Sequence, residues 1–203
     1  MIAVIDYGVG NLFSVEKAVT ALGAPVKVTR EASVIRAAEK IILPGVGAFG
    51  DCMENLEATG LVPVIRDLVT SGRPLLGICV GLQILFDGSE ESPGVRGLGL
   101  IPGMVRKIQA PGLKVPHMGW NSLDIRARRE KADLFAGLSA HPYVYFVHSY
   151  HAVPEDASLV TATTEYGERL TAAVARGNLQ ATQFHPEKSG DVGLQILRNF
   201  ISS

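Results

Sequence analysis

Two stretches of this 203-residue chain carry side chains able to act as a nucleophile and its base. In "GICVGLQ" (77–83), Cys79 stands between Gly77 and Gly81, directly after an apolar run. In "TQFHPEK" (182–188), His185 closes a second apolar run and Glu187 follows two residues later. A strand, a sharp turn and a helix with glycines on either side of the reactive residue form the thiol version of a nucleophile elbow. The glycines let neighbouring backbone approach without a Cβ clash. Such a turn would bring the sulfur near the first N–H groups of the next helix, which favour a thiolate. It would also leave the Val80 N–H free to hold a developing oxyanion, a donor worth roughly 3–4 kcal/mol in the transition state.

In an extended segment, residues two apart point to one side, so Glu187 would hold one ring nitrogen of His185 while the other faces the sulfur. That is the arrangement of a Cys-His-acid triad, and Pro186 would limit drift of the acid from the ring. Both patterns also have an inert reading. Cys79 could be a small buried apolar residue at a strand–helix junction, and His185 a strand-end histidine beside a solvated glutamate. Cys52, in a helical stretch with no elbow around it, reads as packing.

Three further patterns bear on chemistry. "LPGVGAF" (43–49) runs from a strand into a glycine-rich turn, which serves either as a tight turn alone or as the source of a second oxyanion donor. "DYGVGN" (6–11) begins like a dinucleotide loop, but Phe13 stands where GxGxxG needs its last glycine, and GxxxxGK[ST] is absent. His148 and His151 in "HSYH" have no third ligand at a sensible spacing, so no metal centre is expected, and no cofactor.

The elements that must position these residues follow from periodicity. "IAVI" (2–5), "VKVT" (26–29), "KIIL" (40–43) and "PLLGI" (74–78) read as buried strands. Between them lie helical patterns at 12–23 and about 50–71, the latter broken near Gly60 and Pro63, and a helix is expected from Val80 onward. Short alternating strands and helices are the pattern of βαβ units and a parallel sheet. The second half differs. Residues 159–184 read as three strands joined by the turns "YGE" and "GN", before a last helix, "GLQILRNFI".

Composition excludes several classes. The chain is 47% hydrophobic and 19% charged with a net charge of −1, so a sizeable core is available and disorder is not expected. No basic stripe suits nucleic acid; the short cluster "RARRE" (126–130) reads as solvated surface. Two cysteines without a CxxC pair fit a reducing cytoplasm better than a disulfide scaffold. "MIAVIDYG" lacks the marks of a signal peptide, and the apolar run at 75–86 is too short to span a bilayer. A cytoplasmic protein without membrane contact is expected.

Taken together, "DYGVGNLFSV", "LPGVGAFGD", "GICVGLQ", "GLGLIPG", "VPHMGWN", "YFVHSYH" and "QFHPEKS" span nearly the whole chain and resemble the class I (triad) glutamine amidotransferases. Among these the resemblance is closest to the glutaminase subunits of imidazole glycerol phosphate synthases, "PHMGWN" being the most discriminating stretch. Val80 and Leu82 depart mildly from that pattern, where Leu and Met would be expected. The resemblance implies one α/β domain over 1–203. Its sheet would be doubly wound and mainly parallel with helices on both faces, and an antiparallel hairpin region would fill the second half.

It also implies glutamine hydrolysis through a Cys79 thioester, with His185 and Glu187 completing the triad and the backbone of Val80, Val46 and Gly47 holding the oxyanion. Gly47, Gln83, Glu91, Ser149 and Tyr150 would contact glutamine. The ammonia would pass to a (βα)8-barrel cyclase in histidine biosynthesis, docked at Asn11, Met118, Trp120, Tyr145 and Lys188. For Trp120 and Tyr145 ordinary core packing is the competing reading. A different ammonia acceptor, a free-standing γ-glutamyl hydrolase and a non-catalytic binding domain are the rival functions.

Overall fold

The computed structural model describes residues 1–126 and 133–203. Strand β1 (Ile2–Ile5) leads through α1 (Leu12–Ala21) to β2 (Val26–Thr29), and α2 (Ala32–Ala37) carries the chain back past β1 to β3 (Lys40–Gly45). Helices α3 (Phe49–Ala58) and α4 (Val62–Thr70) precede β4 (Leu75–Cys79), which ends in a single helical turn, α5 (Val80–Gln83). The chain continues through β5 (Gly88–Ser89), β6 (Gly103–Lys107), β7 (His117–Ser122), β8 (Asp124–Ile125), β9 (Tyr143–His148) and β10 (Tyr150–Pro154). Strands β11 (Val160–Tyr166), β12 (Glu168–Arg176) and β13 (Leu179–Thr182) follow, and α6 (Gly190–Ser202) ends it.

The main sheet has eight strands in the order β2-β1-β3-β4-β13-β12-β11-β8. Its first five are parallel and its last three antiparallel. Because β1 connects outward to β2 and β2 back across to β3, right-handed crossovers put α1 and α2 on opposite faces. Accordingly α1 packs with α6 and α2 packs with α4. Strands covered on both faces are mostly apolar, and every residue of β4 and β13 is buried, the polar Gln180 and Thr182 included. Two small sheets, β10-β6-β5 and β7-β9, lie beside the main one; the periodicity of the sequence does not reveal them.

The parallel strands place their carboxyl ends together. Gly45 at the end of β3 pairs with Cys79 at the end of β4, and Thr182 at the end of β13 pairs with Ile78. Ligands of open α/β sheets bind outside these ends. Pro44 is tolerated in β3 because the pairing with β1 stops at Ile42, so no ladder bond needs its missing N–H.

The turn after β4 has almost no free space. A Cβ on Gly81 would lie 1.9 Å from the Leu43 carbonyl oxygen, one on Gly77 2.8 Å from the Gly81 oxygen, and one on Gly45 2.7 Å from the Gly81 nitrogen. Each would strike backbone, and at Gly45 the Tyr7 hydroxyl as well, at 2.7 Å. The hairpin glycine Gly177, with φ of +57° and open space around it, offers a contrast. Gly81→Ala is expected to lose about 3 kcal/mol or more of stability by forced backbone movement. Gly177→Ala should lose only about 1 kcal/mol, from its left-handed conformation. Denaturant midpoints would check this; equal losses would mean that the turn can spread to admit a methyl group.

Candidate active site

Cys79 has φ of +58° and ψ of −113°, and it is the one non-glycine residue with positive φ among those described. Such a conformation typically costs about 1–3 kcal/mol and persists where the surroundings enforce it. Here the enforcement comes from its register with Gly45 and from the glycines packed behind it. Val80 opens α5, so its N–H has no acceptor four residues back. The helix expected to continue from Val80 stops at Gln83. One turn supplies free N–H groups but little macrodipole, so local donors rather than a long helix act on the sulfur.

His185 is 1% exposed, and its backbone N–H donates to the Tyr145 carbonyl 3.0 Å away. Its Nδ1 lies 2.7 Å from Glu187 Oε1, and the Glu187 side chain is also only 1% exposed. The expected extended geometry is not the one that joins them. His185 is the N-cap of a 3₁₀ turn, Pro186–Lys188, and the turn curls the carboxylate back onto the ring. Asn11 donates from Nδ2 to the same carboxylate oxygen at 3.3 Å. The loop that begins like a nucleotide fingerprint therefore touches the acid; its Tyr7 hydroxyl donates to the Pro44 carbonyl at 2.6 Å.

Burial alone would lower the basicity of His185. Hydrogen bonding with Cys79 and with Glu187 outweighs it and raises the pKa to about 9. His185 Nε2 is buried with no hydrogen bond of ordinary geometry, yet the Cys79 thiol is close enough to dominate the upward shift. The ring therefore keeps a proton at neutral pH, the form that stabilises a thiolate beside it.

A cleft of about 430 Å³ opens over this pair. Every residue expected to touch glutamine lines it: Gly47, Gln83, Glu91, Ser149 and Tyr150, together with Val46 and Val80. Glu91 accepts from the Phe49 N–H at 2.8 Å, at the start of α3. Gln83 donates from Nε2 to the Tyr150 carbonyl and to Gln183 Oε1, each at 3.1 Å. The Val46 carbonyl accepts from the Cys52 thiol at 3.3 Å. In a trans peptide the next N–H points the opposite way, so Gly47 turns its N–H away from Cys52.

Of the residues expected at a docking face, Met118 and Trp120 are 63% and 57% exposed, which overturns the core-packing alternative for Trp120. Tyr145 is half-buried, its ring 6.2 Å from Trp120 and 6.0 Å from Lys188 Nζ. Lys188 also lines the cleft. Asn11 is half-buried and donates to Glu187. Of the basic cluster 126–130, all but Arg126 lies outside the described residues; Arg126 donates to the Ala157 carbonyl at 3.0 Å.

Comparison with known proteins decides the family. The pattern of "Glutamine amidotransferase class-I" matches residues 3–203. An imidazole glycerol phosphate synthase subunit HisH of Syntrophotalea carbinolica is 54% identical, covering 98% of each chain. The same subunit of Methanothermobacter thermautotrophicus is 52% identical over 99% of this chain and 98% of its own. The chain belongs to the HisH family of class-I glutamine amidotransferases. A solved glutamine amidotransferase has the same fold at TM-score 0.77 and 21% identity, covering 100% of this chain and 98% of its own. PurLQS of Thermotoga maritima gives 0.75 at 20%, covering 99% and 97%.

Some of this amidotransferase's pocket was not foreseen. Gln183, fully buried, donates to Cys79 Sγ at 3.8 Å; it directly follows β13, two residues before His185, and that spacing is the signal the sequence offers. His148, Val147 and Pro116 also line the cleft. Among the described residues no cluster of three or more potential ligands could hold a metal, and no helix is long and apolar enough to cross a membrane.

The two thiols differ in a testable way. Burial pushes Cys52 up to about 11, leaving roughly one part in a thousand ionised at pH 8. Iodoacetamide should therefore label Cys79 with Cys52 untouched; equal labelling by mass spectrometry would contradict an activated Cys79. A pH effect follows from two other rings. Burial lowers His117 to about 4 and His148 to about 3. Below the ordinary value of about 6.5 the unfolded chain binds protons that the folded one refuses. Stability should thus fall as pH drops from about 6.5 toward 4, and denaturation midpoints that stay flat there would contradict the assignment.

Proposed function

We propose that this chain is the glutaminase subunit of an imidazole glycerol phosphate synthase, acting as one domain over residues 1–203. The observation that carries the reading is the strained Cys79 beside a buried His185–Glu187 pair in a cleft. The full-length identity to HisH subunits supports the physiological assignment.

In this reading the Cys79 thiolate attacks the side-chain amide carbon of glutamine, and the carbonyl electrons move onto oxygen. Backbone N–H groups from Val80 and the Val46–Gly47 turn hold that charge. His185 gives its proton to the departing nitrogen, and ammonia leaves a γ-glutamyl thioester. Water then attacks the thioester while His185 takes its proton. A second oxyanion forms and collapses, releasing glutamate and the thiolate. Glu187 fixes the ring and offsets its charge. Gln83, Glu91, Ser149 and Tyr150 select the amino-acid end of the substrate.

The ammonia passes to a partner subunit, a cyclase of (βα)8-barrel form, within the cytoplasm. An apolar patch of Met118 and Trp120 beside Lys188 supports a docking face next to the mouth of the cleft. No cofactor or metal takes part in this chain's step.

Cys79→Ala should abolish glutamine-dependent synthesis in the complex while synthesis from added ammonium salts survives. Glu187→Gln should lower kcat roughly 10²–10⁴-fold. Loss of ammonium-dependent synthesis in Cys79→Ala would assign the cysteine to folding or docking. Glutamate release by the purified chain, unchanged by the cyclase and its ribonucleotide ligand, would favour a free-standing hydrolase.

A further inference from the structure

Three polar side chains outside the proposed triad form an unbroken chain that starts at His148 in the pocket wall and leads away from it. His148 Nδ1 lies 2.8 Å from the Tyr150 carbonyl oxygen. A carbonyl only accepts, so this nitrogen carries the proton. Burial keeps the ring neutral, which leaves Nε2 an acceptor. The group facing it is His117 Nδ1 at 2.9 Å, which must therefore donate. His117 is neutral for the same reason, so its Nε2 accepts from Asn121 Nδ2 at 3.2 Å. Asn121 Nδ2 also donates to the Glu165 carbonyl at 3.0 Å. One set of tautomers satisfies every contact. The His117 ring is clamped between Phe146 and Tyr166, with centroids 4.7 and 4.1 Å away.

Where the chain begins and ends gives it a purpose. At the inner end, the Tyr150 carbonyl belongs to the Ser149–Tyr150 turn that walls the cleft. At the outer end, His117 and Asn121 alternate along β7 with the exposed Met118 and Trp120. Two buried rings at 3% and 5% exposure could have been apolar at no loss of packing. A hydrogen-bonded pair instead adds direction, because each ring accepts only one partner geometry.

We propose that His117 and His148 are positioning residues: their hydrogen bonds set the Ser149–Tyr150 turn and tie it to the strand that carries Met118 and Trp120. This rests on the glutaminase reading above. A protein bound to that strand would act on glutamine binding through these side-chain bonds together with the backbone ladder that pairs β7 with β9.

The test compares two variants in the complex with the cyclase. His117→Phe keeps the stacking and removes the donor. His117→Asn restores an amide N–H at the reach of Nδ1. The first should raise KM for glutamine about tenfold with a smaller change in kcat, and the second should stay within about threefold of the parent. A Phe variant with unchanged KM, or an Asn variant as impaired as the Phe variant, would overturn the proposal. Imidazole ¹⁵N spectra of the chain alone give an independent reading, with both rings expected as Nδ1–H tautomers. An Nε2–H tautomer at His148 would overturn the proposal whatever the activity. Absence of glutamine hydrolysis by the parent complex would overturn the glutaminase reading instead.

Discussion

The approach of three backbone segments behind Cys79 is the constraint on which the site depends. Gly45 of β3, Gly77 of β4 and Gly81 of α5 meet at distances that leave no room for a methyl group. Removing three Cβ atoms lets the end of β4 fold back over β3, and the residue at the bend is left at φ of +58°. The strain is local, while the resistance to relaxing it is spread over the parallel sheet, where Leu43, Leu75, Leu76 and Ile78 are all buried. A close-packed interior yields little to such a load. The sulfur is therefore fixed by the best-packed part of the molecule.

The base is fixed by different means. Backbone bonds hold His185 against β9, through its N–H to Tyr145 and through Ser189, whose hydroxyl donates to the His185 carbonyl and accepts from the Tyr145 N–H. Glu187 returns to the ring through a 3₁₀ turn, and Asn11 reaches it from the loop after β1. A buried carboxylate is costly unless paired, and here a protonated ring and an amide both meet Oε1, while Oε2 is buried without a hydrogen-bond partner. Because partner and acid lie on the same turn, the pair needs no distant element to form.

The sequence discloses these features unevenly, for physical reasons. Glycines at 77 and 81 mark the elbow because glycine alone permits the approach, so identity and geometry coincide. The strands at 2–5 and 75–79 are legible because parallel strands covered on both faces are apolar runs, and the edge strand at 26–29 because Val26 and Val28 alternate with Lys27 and Thr29. The two small sheets are not, since their strands mix exposed and buried residues: β7 reads "HMGWNS" and buries only His117 fully. The His185–Glu187 pairing is legible while the 3₁₀ turn that makes it is not, because a proline permits both a strand and the first turn of a helix. Gln183 and His148 stay hidden, as a buried polar residue looks like a surface one until its partners are known. Glu91 emerges from its loop only through family resemblance.

The division between sheets has a consequence for how the site can respond. A two-stranded ribbon is marginal by itself, and β7-β9 is held by what its inner face meets: Phe146 against Phe184 at 5.8 Å, and His117 against Tyr166. Pleating then sends Met118 and Trp120 outward from the same strand that sends His117 and Asn121 inward. The nucleophile thus sits on the rigid sheet, while Val147 and His148 of the cleft wall belong to a ribbon with one face toward solvent. A force on the exposed face moves the wall before it moves the sulfur, because the ribbon has fewer packed neighbours resisting it. Binding and bond-making are in this way seated on elements of unequal stiffness, and the ribbon is the part through which an outside protein could act without disturbing the elbow.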